Sequence, residues 1–401
     1  MRRTAITISA LFCGLACPRA GHSQRPVTLG EAIQSALTIG PRIAIVRADS
    51  LAAAAQVLTA RAFPNPTISP AYTRSPPNYH VELEQPFEYP FLRAARVRAA
   101  TLGAGAAAFL AAAERASIRY DVEVAYADAA AGVLIRALSR RNLADAQEML
   151  RITQRRQQAG DASELDIRLA AVSAGQAELQ MLADSLQTLR SLLELQTLMG
   201  LSAARIEIAP SDSLAVRFPV DSMAPAPPLR VAAAQLQVDV EHANLAAARA
   251  ARIPALALRV GVEWHEPDVG GLEPIIGIAL PLPIFDRNRG PIAEARAAQD
   301  RAAAQLMLAQ LQTRNALLLA QQERSLAQSR VQRGGAMVAE AERVATLALT
   351  AYREGAYALA SVIEAQRNAR DAVRSYIEAL QASRVAQAAL VRAQVVGGPM
   401  Q

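Results

Sequence analysis

The sequence predicts a mainly α-helical protein with a membrane β-barrel portion that several chains must build together. Three observations carry this. Of the 401 residues, 52% are hydrophobic and only 4% aromatic, so the apolar content is mostly Ala, Leu and Val, which suits long helices packed closely. One plan is written twice: Pro86 and Pro281, like Gly160 and Gly355, stand 195 residues apart. Each copy also holds a pair of short segments in which apolar and polar residues alternate.

Residues 1–23 read as an export signal, with Arg2 and Arg3 at its start, an apolar stretch from Ala5 to Cys17, and small residues from Pro18 to Ser23. Both cysteines, Cys13 and Cys17, fall inside it, so a processed chain would carry no disulfide. Beyond it, no apolar run is expected to reach the 18 or so residues of a membrane helix. A bilayer would then be crossed as a barrel or not at all.

The first repeat occupies residues 24–200. Pro41 starts a helix that runs to Arg61-Ala62-Phe63, and an alternating hairpin follows at about 66–87. A very long helix near 91–158 breaks at Gly160 and returns. Residues 201–228, rich in Pro, Ser and Asp, form a connector draped outside the helices. The second repeat, 229–396, has the same order: a helix from Pro228, a hairpin at about 255–284, a long helix near 288–353, a break at Gly355 and a return helix. Residues 397–401 are a tail. At about 1.5 Å per residue the long helices span roughly 100 Å, with Gly103, Gly105, Gly132 and Gly334-Gly335 expected to kink or interrupt them.

The alternation is clearest from Ala255 to Trp264, where Leu256, Leu258, Val260, Val262 and Trp264 share one face. After a turn at 265–272, Ile276, Ile278, Leu280 and Leu282 do the same. In the first repeat Tyr79, Val81 and Leu83 alternate with His80, Glu82 and Glu84, and Ile68, Pro70 and Tyr72 with Ser69, Ala71 and Thr73. Strands of this length, with Tyr72, Tyr79 and Trp264 near the turns, fit a transmembrane barrel. They also fit a soluble sheet with one face on a core, but no other element supplies that core. Four strands cannot close a barrel, so the barrel must be shared.

Chemistry is otherwise sparse. All 42 basic residues are Arg, spread along helices without interleaved aromatics, which argues against a nucleic-acid partner. His22, His80, His242 and His265 show no metal-ligand spacing, and no phosphate loop or nucleophile elbow occurs. The expectation is a non-enzyme with no metal and no cofactor.

Several segments resemble the TolC-like outer-membrane efflux proteins across residues 27–395. Val27-Thr28-Leu29-Gly30-Glu31-Ala32-Ile33 followed by Pro41 looks like the opening of that family. Pro281-Leu282-Pro283-Ile284-Phe285-Asp286-Arg287-Asn288-Arg289-Gly290 is similar to the branch that serves heavy-metal pumps of the resistance–nodulation–division (RND) type, the CzcC and CusC group. Ala159-Gly160-Asp161-Ala162-Ser163-Glu164-Leu165-Asp166 and Tyr352-Arg353-Glu354-Gly355 resemble its two hairpin tips.

The resemblance implies a homotrimer with a 12-stranded β-barrel in the lipid of the Gram-negative outer membrane, continuous with a 12-helix periplasmic α-barrel. It implies docking at the tips of a periplasmic adaptor (a membrane fusion protein) joined to an inner-membrane RND pump, and export of substrates, with heavy-metal cations the leading cargo. It also raises Cys17 as a lipidated first residue. The competing reading is a periplasmic coiled-coil adaptor or scaffold without a pore.

Asp166 and Glu364 match acidic positions of the family's periplasmic gate, where threefold symmetry would crowd carboxylates around one axis. Tyr352 matches a tip tyrosine that helps hold the closed state, and Tyr357 stands where the family has Arg. Equally, Ser163-x-x-Asp166 and Ser361-x-x-Glu364 read as capping boxes. Gly160 and Gly355 are turn residues. With Gln158, Asp161, Ala162, Arg353, Glu354 and Ala356 they are candidates for adaptor contact. His80, Glu82, Glu84, Arg259 and Glu263 would line the barrel lumen, or form a merely solvated face.

Overall fold

The computed structural model describes residues 25–201, 206, 208–215, 228–264 and 271–394. The export signal with Cys13, Cys17 and His22, most of the connector, the turn 265–270 with His265, and the tail lie outside the described residues.

The chain opens with β1 (Arg25–Val27), α1 (Leu29–Thr38) and α2 (Pro41–Arg61). Strands β2 (Thr67–Tyr72) and β3 (Tyr79–Phe87) lead into α3 (Pro90–Gln158), which returns as α4 (Glu164–Leu198). After β4 (Ile208–Pro210), the order repeats as α5 (Leu229–Ala250), β5 (Leu256–Trp264), β6 (Leu272–Ala279), α6 (Arg289–Arg353) and α7 (Leu359–Gln394). At 69 and 65 residues, α3 and α6 are each about 100 Å long.

Near the sheet α2, α3, α5 and α6 lie side by side; towards the tips the neighbours become α4, α3, α7 and α6. The glycines expected to break α3 and α6 do not. Gly105, Gly132 and Gly334 let neighbours approach instead. A Cβ on Gly132 would sit 3.2 Å from Ser191 Oγ, and one on Gly334 3.1 Å from the Tyr376 ring. The cost of Gly in a helix is offset here by contact between helices.

A second expectation also needs correction. The helix α2 is long and apolar enough to cross a membrane, with a mean hydropathy of 1.4. Its Arg42 nevertheless reaches Asp121 and Glu114 of α3, each at 2.5 Å, and holds α2 alongside α3. Those two carboxylates, the Asp121 hydrogen bond foremost, raise the Arg42 pKa above the ordinary value.

The largest core among the described residues lies within the first repeat, between α1, α2, α3 and α4, and is closed by β1 and β4. Tyr126, fully buried, packs with Ile43, Val122, Leu192, Leu195 and Ile208. Its hydroxyl donates to the Val27 carbonyl (2.9 Å) and accepts from the Ser211 and Asp212 amides (3.1 and 3.0 Å). The described part of the connector is therefore fastened to the helices: β4 pairs in parallel with β1, and Arg384 of α7 donates to the Ser213 carbonyl.

Beyond β6, Leu280 and Leu282 leave the sheet, contrary to expectation, because Pro281 and Pro283 have no N–H for a ladder. The chain then turns through Asn288, which adopts a left-handed backbone (φ 57°) and donates its side-chain amide to the Ala248 carbonyl at 2.6 Å. Asp286 accepts from the Asn288 amide at 2.8 Å. Asp-x-Asn thus sets the start of α6 against the end of α5.

Candidate functional site

The four strands form one antiparallel sheet in the order β2-β3-β5-β6. Because side chains alternate, the register decides what each face offers. One face carries three apolar rows: Ile68–Leu83–Val260–Ile276, Pro70–Val81–Val262–Pro274 and Tyr72–Tyr79–Trp264–Leu272. Ile68, Tyr72, Leu272, Ile276 and Ile278 are all about two-thirds exposed or more in the isolated chain. The aromatics of that row are in contact: Tyr72 and Tyr79 are tilted by 54° with centroids 5.2 Å apart, and Tyr79 stacks on Trp264 at 5.4 Å.

The opposite face gathers the polar residues singled out from the sequence. Its rows are Thr67–Glu84–Arg259–Gly277, Ser69–Glu82–Gly261–Ile275 and Ala71–His80–Glu263–Glu273. Arg259 Nε donates to Glu84 Oε2 at 2.9 Å, and His80 Nδ1 lies 3.0 Å from Glu263 Oε2. The other imidazole nitrogen of His80 is 3.1 Å from Thr73 Oγ1. All five expected lumen residues therefore share one face, and four of them form cross-strand pairs. Glu273 belongs with them, at the start of β6 and ahead of the apolar alternation from Ile276 that marks the strand in the sequence.

At the far end of the helices each hairpin closes in the same way. Gly160 and Gly355 have φ of +87° and +77°, a region costly for any residue with a Cβ. The Gly160 amide donates to Gln157 and the Asp161 amide to Arg156, at 2.9 and 2.8 Å. Gly355 to Tyr352 and Ala356 to Ala351 repeat the pattern at 3.1 and 2.9 Å, so both helices end in Schellman turns. Gln158, Gly160, Asp161, Arg353, Glu354, Gly355, Ala356 and Tyr357 are exposed, and Ala162 is half-buried.

The two return helices begin differently. Ser163 caps α4, its hydroxyl accepting from the Asp166 amide at 3.2 Å while Asp166 Oδ2 accepts from the Ser163 amide at 3.0 Å. The box expected at Ser361 and Glu364 does not form. Helix α7 already starts at Leu359, so Ser361 lies inside its first turn and Glu364 is exposed. Burial of Leu359 and Val362 against Tyr352 and Met149 sets this earlier start.

Tyr352 is buried where the hairpins meet. Arg156 of α3 lies over its ring, 4.6 Å from the centroid, and donates to its backbone carbonyl at 3.2 Å. Arg156 was not picked out from the sequence. Its only signal was a basic side chain in the last turn of α3, where a helix carboxyl end favours one.

Comparison with known proteins fits this architecture. The sequence profile of the family described as outer membrane efflux protein matches residues 224–394. The cobalt-zinc-cadmium resistance protein CzcC of Cupriavidus metallidurans is 27% identical over 345 residues, covering 81% of this chain and 79% of that protein. The fold is shared with solved structures, among them these two. The outer membrane protein VceC of Vibrio cholerae superposes with a TM-score of 0.75 at 20% identity, covering 92% of this chain and 96% of VceC. The CmeC outer membrane channel of Campylobacter jejuni gives 0.79 at 16% identity, covering 91% and 85% respectively.

Proposed function

We propose that the chain is a member of the TolC-like outer membrane efflux proteins and that three copies of it form the exit duct of an RND-type tripartite efflux system, with heavy-metal cations as cargo. One observation carries the duct: a four-stranded sheet with an unbroken apolar face, a polar face, and unpaired edges at β2 and β6. Lipid cannot satisfy the backbone of an open edge. Closure against the edges of further copies does, and it turns the polar face inward. The helical part supports the same assembly, because its outermost helices keep uncovered apolar side chains: Leu51 and Leu58 on α2, Leu179 and Leu182 on α4, Leu311 and Leu318 on α6.

The exposed residues around Gly160 and Gly355 suit a periplasmic adaptor, through which the inner-membrane pump would deliver cargo. Asp166, Glu364, Tyr352 and Tyr357 are the proposed gate, with Arg156 fastening one hairpin to the other. The likeness to a cobalt-zinc-cadmium resistance protein supports the choice of cargo.

The test is recovery of the full chain from outer membranes. A trimer that resists a high-salt wash and gives unitary conductance in planar bilayers is expected. A chain released by the wash overturns the duct. Cargo is tested separately, by restored growth on cobalt, zinc or cadmium of a strain lacking its own metal-efflux duct.

A further inference from the structure

Resting on the duct reading, we propose that the outer surface of each protomer, just beyond the lipid-facing sheet, binds anionic phospholipid headgroups through Arg98, Arg249 and Arg252. The first observation is an imbalance of charge. In the segments that join the sheet to the helices, 58–66, 86–98, 246–255 and 280–296, Arg outnumbers acid nine to three. At the opposite end of the sheet, the turns 73–78 and 265–271 hold one Arg and two acids. The basic layer is thus confined to the end from which the helices leave.

Two groups of arginines differ within this layer. Arg93 and Arg96 are spent inside the protein. They donate to the carbonyls of Arg61, Ala60 and Ala62, and Arg96 also pairs with Glu88. Arg98, Arg249 and Arg252 are exposed, and their side chains have no hydrogen bond or ion pair among the described residues. Their charge is left for something outside the chain.

Placement says what that is. Between α3 and α5 lies a recess of about 420 Å³, floored by alanines of both helices, Ala94 and Ala246 among them, and bordered by Arg98, Asp239 and His242. About nine turns of α3 separate Ala94 from Tyr126, so the recess opens on the face that Tyr126 turns to β1 and the connector. Arg249 lies one turn beyond Ala246, nearer the sheet, and Arg252 follows the end of α5. Leu256 then begins the apolar row of β5. Asp239, the acid of the recess, stands about two turns further from the sheet than Ala246. Guanidinium groups bordering an apolar surface fit a phospholipid, whose acyl chains lie on the sheet while its phosphate meets the planar donor fork.

The experiment is native mass spectrometry of the full-length trimer in detergent, with phosphatidylglycerol or the zwitterionic phosphatidylethanolamine added. Wild type should retain phosphatidylglycerol better, by about threefold or more. Arg98→Gln/Arg249→Gln/Arg252→Gln should lose that preference. Arg314→Gln/Arg330→Gln/Arg333→Gln removes the same charge from α6, away from the sheet, and should keep it. No preference in wild type, an equal loss in both triple variants, or retention abolished by competing inorganic phosphate overturns the inference. A trimer that conducts without any such preference leaves the duct standing. A chain that forms no trimer overturns the duct, and the inference with it.

Discussion

Arg374 of α7 reaches Asp184 of α4 at 2.5 Å, and so ties the second helical hairpin to the first. The Asp184 side chain is only 8% exposed and also accepts from Ser139 of α3 and from Gln180, the latter at 3.0 Å. Three helices therefore meet on one carboxylate. A buried charge with this many donors is costly to leave half-paired, yet its pairing adds little over a well-packed apolar set. Arg374→Met alone should cost about 3 kcal/mol, and Arg374→Met with Asp184→Met should recover most of that loss. Thermal unfolding followed by circular dichroism in detergent checks the order. A single variant as stable as wild type would show that Asp184 is satisfied without Arg374.

The Tyr126 hydroxyl joins β1, the described part of the connector and α3. Tyr126→Phe keeps the packing but leaves the Asp212 amide without its acceptor, while the Ser211 amide keeps its bond to the Val27 carbonyl at 3.1 Å. The expected loss is about 2 kcal/mol. Hydrogen exchange at the Asp212 amide should accelerate while the Ser211 amide and α3 stay protected. Equal protection in the variant would mean that other acceptors replace the phenol.

Much of this architecture was legible in the sequence because it follows from local rules. Alternation along Ala255 to Trp264 gave the faces of β5, and the paired glycines gave both tips. What local rules missed is set by neighbours far along the chain. Nothing near Asp184 announces a partner 190 residues away. Ser361-x-x-Glu364 has the form of a cap, but Leu359 and Val362 gain more by burial against Tyr352, and the helix starts before the signal. Gly132 and Gly334 look like breaks until Thr188 and Tyr376 are placed against them.

The tip offers a clean contrast between a cap and a clasp. Ser163→Ala removes the capping hydroxyl and should cost about 1 kcal/mol, fraying the first turn of α4. Arg156→Ala leaves that cap alone but frees the Tyr352 ring and carbonyl, so the hairpins part more easily. Single-channel recordings should therefore show a larger or more frequently open conductance in Arg156→Ala than in Ser163→Ala. If the capping variant opens the channel as much, the clasp contributes nothing of its own.

Asp128, half-buried in α3, accepts from Gln381 Nε2 of α7 at 2.5 Å. Burial lifts its carboxyl above the ordinary value of 3.8, Gln381 pulls it down, and Glu194 pushes it up, with a net rise. The folded chain thus keeps this proton to a higher pH than the unfolded chain does. From 3.8 upwards the folded state binds more protons, so stability falls as pH climbs through the folded-state pKa. Asp128→Asn removes the titration and keeps an acceptor for Gln381. Near pH 4 the variant and wild type should melt at about the same temperature, and towards pH 7 the variant should melt higher. Melting curves at several pH values decide this. A gap that does not widen with pH would mean that Asp128 is as well solvated in the folded helices as in the unfolded chain.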